Sequence, residues 1–220
     1  ASQPEGSEHS SMIGGTWWSV ARLVLCIVVL SSIGAVTVAT AGGEPTTVPV
    51  DPVEFEFVFV DNGSEDGSRD RLRELALEDR RIKVGRFEQN HGFAIGSNEG
   101  LRVATGDVVV FLNNDTEALG FWWAPLVERL TDPSVGVVGA LLWYPGRPRT
   151  VQHAGMVFMG RAEAGHPLKA VHLYRHRQAS HEPGIRRAKR LQMVTGACLA
   201  MRTADARRLG GFCTDYLNSY

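Results

Sequence analysis

The chain has 220 residues, 44% of them hydrophobic and 21% charged, and its 23 basic and 24 acidic side chains leave a net charge of −1. That is enough apolar chain for one domain with a sizeable core, and the near-neutral balance argues against a nucleic-acid partner. The 3 cysteines, Cys26, Cys198 and Cys213, are widely spaced and form no C-x-x-C, so neither a zinc site nor a disulfide framework is indicated and a reducing, cytoplasmic compartment fits best.

Residues 1–22 read as a disordered tail, small, polar and acidic at its start. Residues 23–41 carry no charge and admit three readings. From Met12 they form a secretory signal, with Arg22 before the apolar stretch and Ala39-Thr40-Ala41 as a cleavage site. They are just long enough for a membrane anchor. Or residues 23–30 are the first strand of a sheet.

The apolar run Phe57-Val58-Phe59-Val60 leads into an acidic loop, Asp61-Asn62-Gly63-Ser64-Glu65-Asp66-Gly67-Ser68. Ser68 is placed to cap a helix running to about residue 78, with Leu72, Leu75 and Ala76 on one face. A short strand is expected over 82–87 and a helix over 95–104, ended by Thr105-Gly106. Val108-Val109-Val110-Phe111-Leu112 reads as a buried strand and ends in a second acidic loop, Asn113-Asn114-Asp115-Thr116-Glu117. A helix over 121–130 stops at Asp132-Pro133. Residues 135–142, 151–159 and 191–201 look extended, 203–209 form a short helix, and the polar, basic stretch 166–190 reads as a long loop. Apolar runs alternating with helical patterns predict a mostly parallel sheet flanked by helices. Ligands bind beyond the carboxyl ends of such strands, so the two acidic loops should share one crevice. A carboxylate there can hold a divalent cation, and the cation a diphosphate.

Six landmarks in order, VDNGSEDGS (60–68), Asn90-His91-Gly92-Phe93-Ala94 with Asn98 and Gly100, VVVFLNNDTE (108–117), Gln152-His153-Ala154-Gly155, Val194-Thr195-Gly196-Ala197-Cys198 and Leu209-Gly210-Gly211-Phe212, resemble those of family 2 glycosyltransferases, of a rhamnosyltransferase-like kind. The resemblance implies an α/β, Rossmann-like A-type glycosyltransferase sheet, the nucleotide-diphospho-sugar-transferase architecture. It implies a nucleotide-binding part over 23–117 and an acceptor-side part over 118–220. The implied reaction is inverting transfer of a sugar from a nucleotide-diphosphate donor to a saccharide or lipid-linked acceptor. It implies a cytoplasmic enzyme of cell-envelope polysaccharide synthesis, in peripheral contact with the inner face of the membrane. The donor set it implies is Ser31, Asp61, Asn62, Ser64, Asn90, Gly92, Asn98, Asn113, Asn114 and Asp115, with Asp115 as the ligand of Mg²⁺ or Mn²⁺. His153, Thr195, Gly196 and Ala197 would line the sugar and acceptor pocket.

The family's spacing between first strand and nucleoside loop matches that from 26–30 to Asp61 and favours the strand reading of 23–30. Departures are visible as well. Ser31-Ser32-Ile33-Gly34 replaces a Pro-x-Tyr-Asn type strand end, and 35–50, with Gly42-Gly43, Pro45 and Pro49, is a poor helix. Asn113 replaces the first acid of the metal motif. After Gly210-Gly211-Phe212, Cys213-Thr214 stands in place of the family's acidic residues. The catalytic base is then expected beyond Tyr220, which makes the chain a piece of a longer enzyme, inactive alone.

Plainer roles compete with these: a reversing Asp-Asn-Gly-Ser turn, Asp115-Thr116 capping the next helix, and a purely structural His153. His172 and His176 have metal-ligand spacing but sit in a polar stretch, where a solvated face fits better. Arg186, Arg187, Lys189 and Arg190 suit an anionic acceptor such as a lipid diphosphate, a nucleic acid, or an ordinary charged loop. A non-catalytic nucleotide-sugar-binding module is the rival to the enzyme as a whole.

Overall fold

The computed structural model describes residues 24–31, 54–119, 122–146, 148–160, 169–178 and 182–215. The expected tail over 1–22, the cleavage site at 39–41 and the residues after 215 lie outside these. Strand β1 (Val24–Ser31) forms where the strand reading placed it. Among the described residues no helix is long and apolar enough to cross a membrane.

Six strands form the main sheet, in the order β3-β2-β1-β4-β10-β5. Strand β2 (Glu54–Asn62) pairs in parallel with β3 (Ile82–Phe87). Strand β1 is antiparallel to both of its neighbours, β2 and β4 (Val108–Asn113). Strand β10 (Cys198–Arg202) is likewise antiparallel to β4 and to β5 (Val137–Gly139). So β2, β3, β4 and β5 point one way, β1 and β10 the other, and the sheet is mixed rather than mostly parallel. The reversal of β1 has a reason in the sequence. Parallel neighbours need a crossover, usually a helix, and residues 35–50, broken by Gly42-Gly43 and two prolines, are poor material for one.

Alternation along β2 and β4 sorts their side chains to two faces. Val58, Val60, Val109 and Phe111 join Leu101 and Ala104, from helix α2 (Gly92–Val103) and the residue after it, and Ala206 of helix α4 (Thr203–Arg208) in one buried cluster. Val108 and Val110 join Leu126, Val127 and Leu130 of helix α3 (Ala124–Leu130) in the other, with Phe55, Phe57 and Trp123 at its edge. The Arg207 guanidinium donates to the carbonyls of Leu101 and Ala104 at 3.0 and 2.6 Å, satisfying the open end of α2 and tying α4 to it.

Helix α1 (Ser68–Glu78) starts where expected, but Ser68 is its first residue rather than its cap. The loop before it is closed by Asp66, whose Oδ1 accepts from the Ser68 amide at 3.1 Å. The described residues also form two small antiparallel ribbons: β6 (Leu142–Trp143) with β7 (Val151–His153), and β8 (Met156–Met159) with β9 (Lys169–His172). Strand β9 and a 3-10 turn at Pro183–Arg186 lie inside the stretch expected to be a long loop. Cross-strand pairing with β8 supplies a backbone partner that the polar sequence of 169–172 does not advertise.

Candidate functional site

The chain leaves β2 at Asp61 and Asn62, both about 1% exposed. Asp61 Oδ1 accepts from the Ser64 amide at 2.9 Å, closing the turn. Its Oδ2 has no hydrogen-bond partner and faces Arg69 Nε at 3.6 Å, so the buried carboxylate has a charge partner and a spare acceptor. Asn62 turns the other way, toward α2. It donates to Asn90 Oδ1 and to the Gly92 carbonyl, both at 3.0 Å, and accepts from the His91 amide at 2.9 Å. Asn90 Oδ1 also accepts from the Gly92 amide at 2.8 Å. Gly63 packs so closely on this segment that a Cβ would lie 2.7 Å from the Gln89 carbonyl carbon, and its φ of +82° suits glycine alone. Asn62, Asn90 and Gly92 are therefore brought together as one interlocked pair of loops.

Strand β4 ends at Asn113, at the same end of the sheet. The register pairs Val24 with Asp61 and Leu25 with Asn113, so the two ends flank the start of β1, roughly 10 Å apart for two strand spacings. Thr116 folds back, its Oγ1 donating to the Asn113 carbonyl at 2.7 Å. This makes a tight turn, and α3 begins only at Ala124, so Asp115-Thr116 does not cap it. Asp115 is exposed on the outside of the turn and Asn114 half-buried. Asn113 Oδ1 is buried without a hydrogen-bond partner. Its amide donates to the Ala197 carbonyl at 3.0 Å, which seats residues 195–197 directly beside this turn. Gly196 packs against the start of α2: a Cβ there would lie 3.2 Å from the ring of Phe93.

His153, of β7, lies buried against residues 195–197. It is about 1% exposed, its Nε2 lies 3.3 Å from the Thr195 amide, and its Nδ1 lies 3.0 Å from His172 Nδ1. Burial first, and the His172 ring second, push its pKa down to about 4. Burial and then Arg175 lower that of His172. The sequence offered no sign of this pairing, because the two rings meet only through the β8–β9 ribbon.

Two expected residues fall outside the cluster. Ser31 pairs with Glu54, at the far end of β2 from Asp61, roughly 23 Å away over seven strand positions. The reversed direction of β1 takes it there. Asn98 spends its side-chain amide on the backbone of Phe212, donating to the carbonyl and accepting from the amide, both at 2.8 Å. That holds the chain after α4 and engages both the donor and the acceptor end of the Asn98 side chain. The basic run is partly committed as well. Lys189 donates to the Tyr174 hydroxyl at 3.1 Å and Arg190 to Ser134 Oγ at 3.0 Å.

The residues that converge at the ends of β2 and β4 lie within a stretch, residues 49–210, that matches the glycosyl transferase family 2 model. The chain belongs to this family. It is 31% identical over 160 residues to the uncharacterized protein y4gI of Sinorhizobium fredii (strain NBRC 101917 / NGR234), an alignment covering 71% of this chain and 17% of that protein. It is 31% identical over 159 residues to the O-antigen biosynthesis protein RfbC of Myxococcus xanthus, covering 72% of this chain and 12% of that protein. A shorter likeness, 41% over 61 residues, links it to the putative teichuronic acid biosynthesis glycosyltransferase TuaG of Bacillus subtilis (strain 168), covering 28% of this chain and 24% of that protein. The chain thus spans less than a fifth of the length of the first two relatives. The family match begins after β1, so the reversed strand lies outside it.

Family 2 enzymes often use a divalent metal. Among the described residues no cluster of three or more His, Cys, Asp or Glu side chains could hold an ion by protein alone. One exposed carboxylate, Asp115, remains near the end of β4 for an ion that a substrate would also ligate. A hard cation of the Mg²⁺ type is commonly held by one or two carboxylates together with substrate phosphates, and here the exposed Asp115 carboxylate lies two residues from the unpartnered Asn113 Oδ1.

Proposed function

We propose that this chain carries the donor-binding part, 23–117, and some of the acceptor side, 118–220, of an inverting glycosyltransferase. It would move a sugar from a nucleoside diphosphate to a saccharide or lipid-linked acceptor of the cell envelope. The likeness to an O-antigen biosynthesis protein supports the envelope setting. The observation that carries the reading is the convergence of four segments, 61–64, 90–93, 113–116 and 195–197, at the carboxyl ends of β2 and β4.

In this reading Asp61 accepts the imide N–H of a uracil or thymine ring through its unpartnered Oδ2, while Arg69 balances its charge. Asn62, Asn90 and Gly92 hold the nucleoside loop in shape. Ser64 fixes the Asp61 carboxylate through its amide. Asp115 holds Mg²⁺ or Mn²⁺ against the diphosphate, with Asn113 and Asn114 beside it. When bound, the cation offsets the charge that develops on the departing nucleoside diphosphate. Thr195, Gly196 and Ala197 form the floor under the sugar, where small side chains leave room.

Calorimetric titration with UDP, dTDP and GDP, each with and without Mn²⁺, tests the reading. A pyrimidine diphosphate should bind with Mn²⁺ and more weakly without it. Asp115→Ala should remove the metal-dependent part, and Asp61→Ala should weaken binding of the pyrimidine diphosphates about tenfold or more, as expected for loss of a hydrogen bond to a charged group. An Asp115→Ala titration indistinguishable from the wild type would overturn the metal assignment.

A further inference from the structure

The floor of the proposed donor site is tied to a distant ribbon by a continuous hydrogen-bonded path. His172 meets His153 at 3.0 Å, His153 meets the Thr195 amide at 3.3 Å, and Thr195 Oγ1 accepts from the Ala197 amide at 3.3 Å. The Ala197 carbonyl then accepts from the Asn113 amide at 3.0 Å. Each link but one has a fixed polarity. A backbone amide only donates, so His153 Nε2 must be the acceptor for Thr195. In a neutral ring the proton then sits on Nδ1, facing His172. His172 must therefore present an unprotonated Nδ1 and carry its own proton on Nε2. Burial, which disfavours the charged form of both rings, supports a neutral pair.

We propose that His172 is a positioning residue: by accepting the Nδ1 proton of His153 it fixes the tautomer that leaves Nε2 free to hold Thr195, and so sets residues 195–197 against Asn113. A divalent metal shared by the two Nδ1 atoms is the competing explanation for their closeness. It requires a bare Nδ1 on His153, which moves that ring's proton to Nε2 and sets it against the Thr195 N–H, donor to donor. The amide therefore argues against it.

The surroundings of His172 support a built arrangement. The turn that follows it contains two non-glycine residues in the left-handed region, Tyr174 at φ 56° and His176 at φ 65°, a conformation that costs free energy and persists only where the surroundings impose it. The turn is held by backbone bonds from Leu173 to Gly155 and from His176 to Val151, both in or beside the strand that carries His153. On the other side, Met156 donates to the Met193 carbonyl, and the Leu191 side chain packs into the space that a Cβ on Gly155 would take. The segment bearing His153 is thus clamped between the His172 turn and residues 191–195. The consequence for donor or acceptor binding rests on the function proposed above; the tautomer and the placing of Thr195 do not.

The experiment is nuclear magnetic resonance on the full ¹⁵N-labelled chain. Long-range ¹H–¹⁵N spectra of the imidazole rings at neutral pH should show His153 with its proton on Nδ1 and His172 with its proton on Nε2. In His172→Leu the Thr195 amide should exchange with solvent about tenfold faster, the scale of one net hydrogen bond. In His172→Asn, which keeps an acceptor at the same reach, it should stay within about twofold of the wild type. A His153 proton on Nε2, or unchanged Thr195 exchange in a folded His172→Leu, would overturn the proposal. If His172→Leu does not fold, His172→Asn decides: retained exchange and retained tautomer support it, and loss of either sinks it. All of these readouts are taken without nucleotide, so a failure of nucleotide binding is read separately. If UDP with Mn²⁺ binds the wild type, His172→Leu should weaken that binding and His172→Asn restore it.

Discussion

Asn98 and Phe212, 114 residues apart in sequence, form a two-point hydrogen-bonded clamp between the α2 side chain and the backbone that follows α4. Gly211 is what lets the clamp close. A Cβ there would lie 2.2 Å from Asn98 Oδ1, and its φ of +76° would strain any other residue. Phe212 is thereby set edge-on to Phe93 and Phe111, at ring separations of 5.2 and 4.9 Å, which links the site's end of α2 to β4.

Asn98→Ala should lower stability by about 2 kcal/mol, since two polar backbone groups lose their partners. For a chain of this size that is a fall of roughly 4–8 °C in Tm. Gly211→Ala should cost at least as much. Calorimetric melting checks both. If Asn98→Ala instead melts like the wild type but loses nucleotide affinity, the side chain touches the ligand and the clamp is incidental.

Asn62→Ala should be more damaging than its small size suggests. It removes three hydrogen bonds from a residue about 1% exposed and releases the 89–92 loop from the end of β2. Destabilisation of about 2–4 kcal/mol is expected, with a loss of nucleotide affinity beyond it. Denaturant unfolding and calorimetric titration on the same preparation separate the two effects.

Acid should destabilise the fold through His153. Its folded pKa of about 4 lies below the ordinary 6.5, so between those values the unfolded chain binds a proton that the folded chain does not. The contribution is fully present above about 6.5 and is lost as pH falls toward about 4. The slope from this one group is at most about 1.4 kcal/mol per pH unit. Burial shifts His172 in the same direction. Urea midpoints between pH 7.5 and pH 5.5, above the ordinary carboxylate range, should show the decline, and His153→Gln should flatten it. Identical pH profiles for the two proteins would show that this ring stays unstrained by burial.

Cys198 and Cys213 should differ sharply in reactivity. Burial beside Val108 and Val110 pushes the Cys198 thiol up to about 12, whereas Cys213 is exposed. The thiolate is the reactive form. Iodoacetamide at pH 8 should therefore label Cys213 in the native chain and Cys198 only after denaturation, as peptide mass spectrometry will show. Rapid native labelling of Cys198 would mean that β10 opens readily.

The sequence by itself determined the elements that rest on local rules. Apolar runs at 57–60 and 108–112 became β2 and β4 because side-chain alternation and burial need no distant partner to be recognised. The order of six short motifs was enough to indicate the family, since loop chemistry after a strand is written in consecutive residues, and Asp61, Asn62, Asn90, Gly92, Asn113 and 195–197 do converge. Tertiary structure alone decided three things. The direction of β1 depends on which neighbours it pairs with, and an apolar strand reads the same either way; its reversal takes Ser31 from the site. Whether a polar side chain faces a ligand or the protein depends on what the fold brings within 3 Å, which is why Asn98 became a clamp. The pairing of His172 with His153 depends on a two-stranded ribbon whose hydrogen bonds are made by backbone atoms. Those atoms are common to all residues, and so they leave little mark on the sequence.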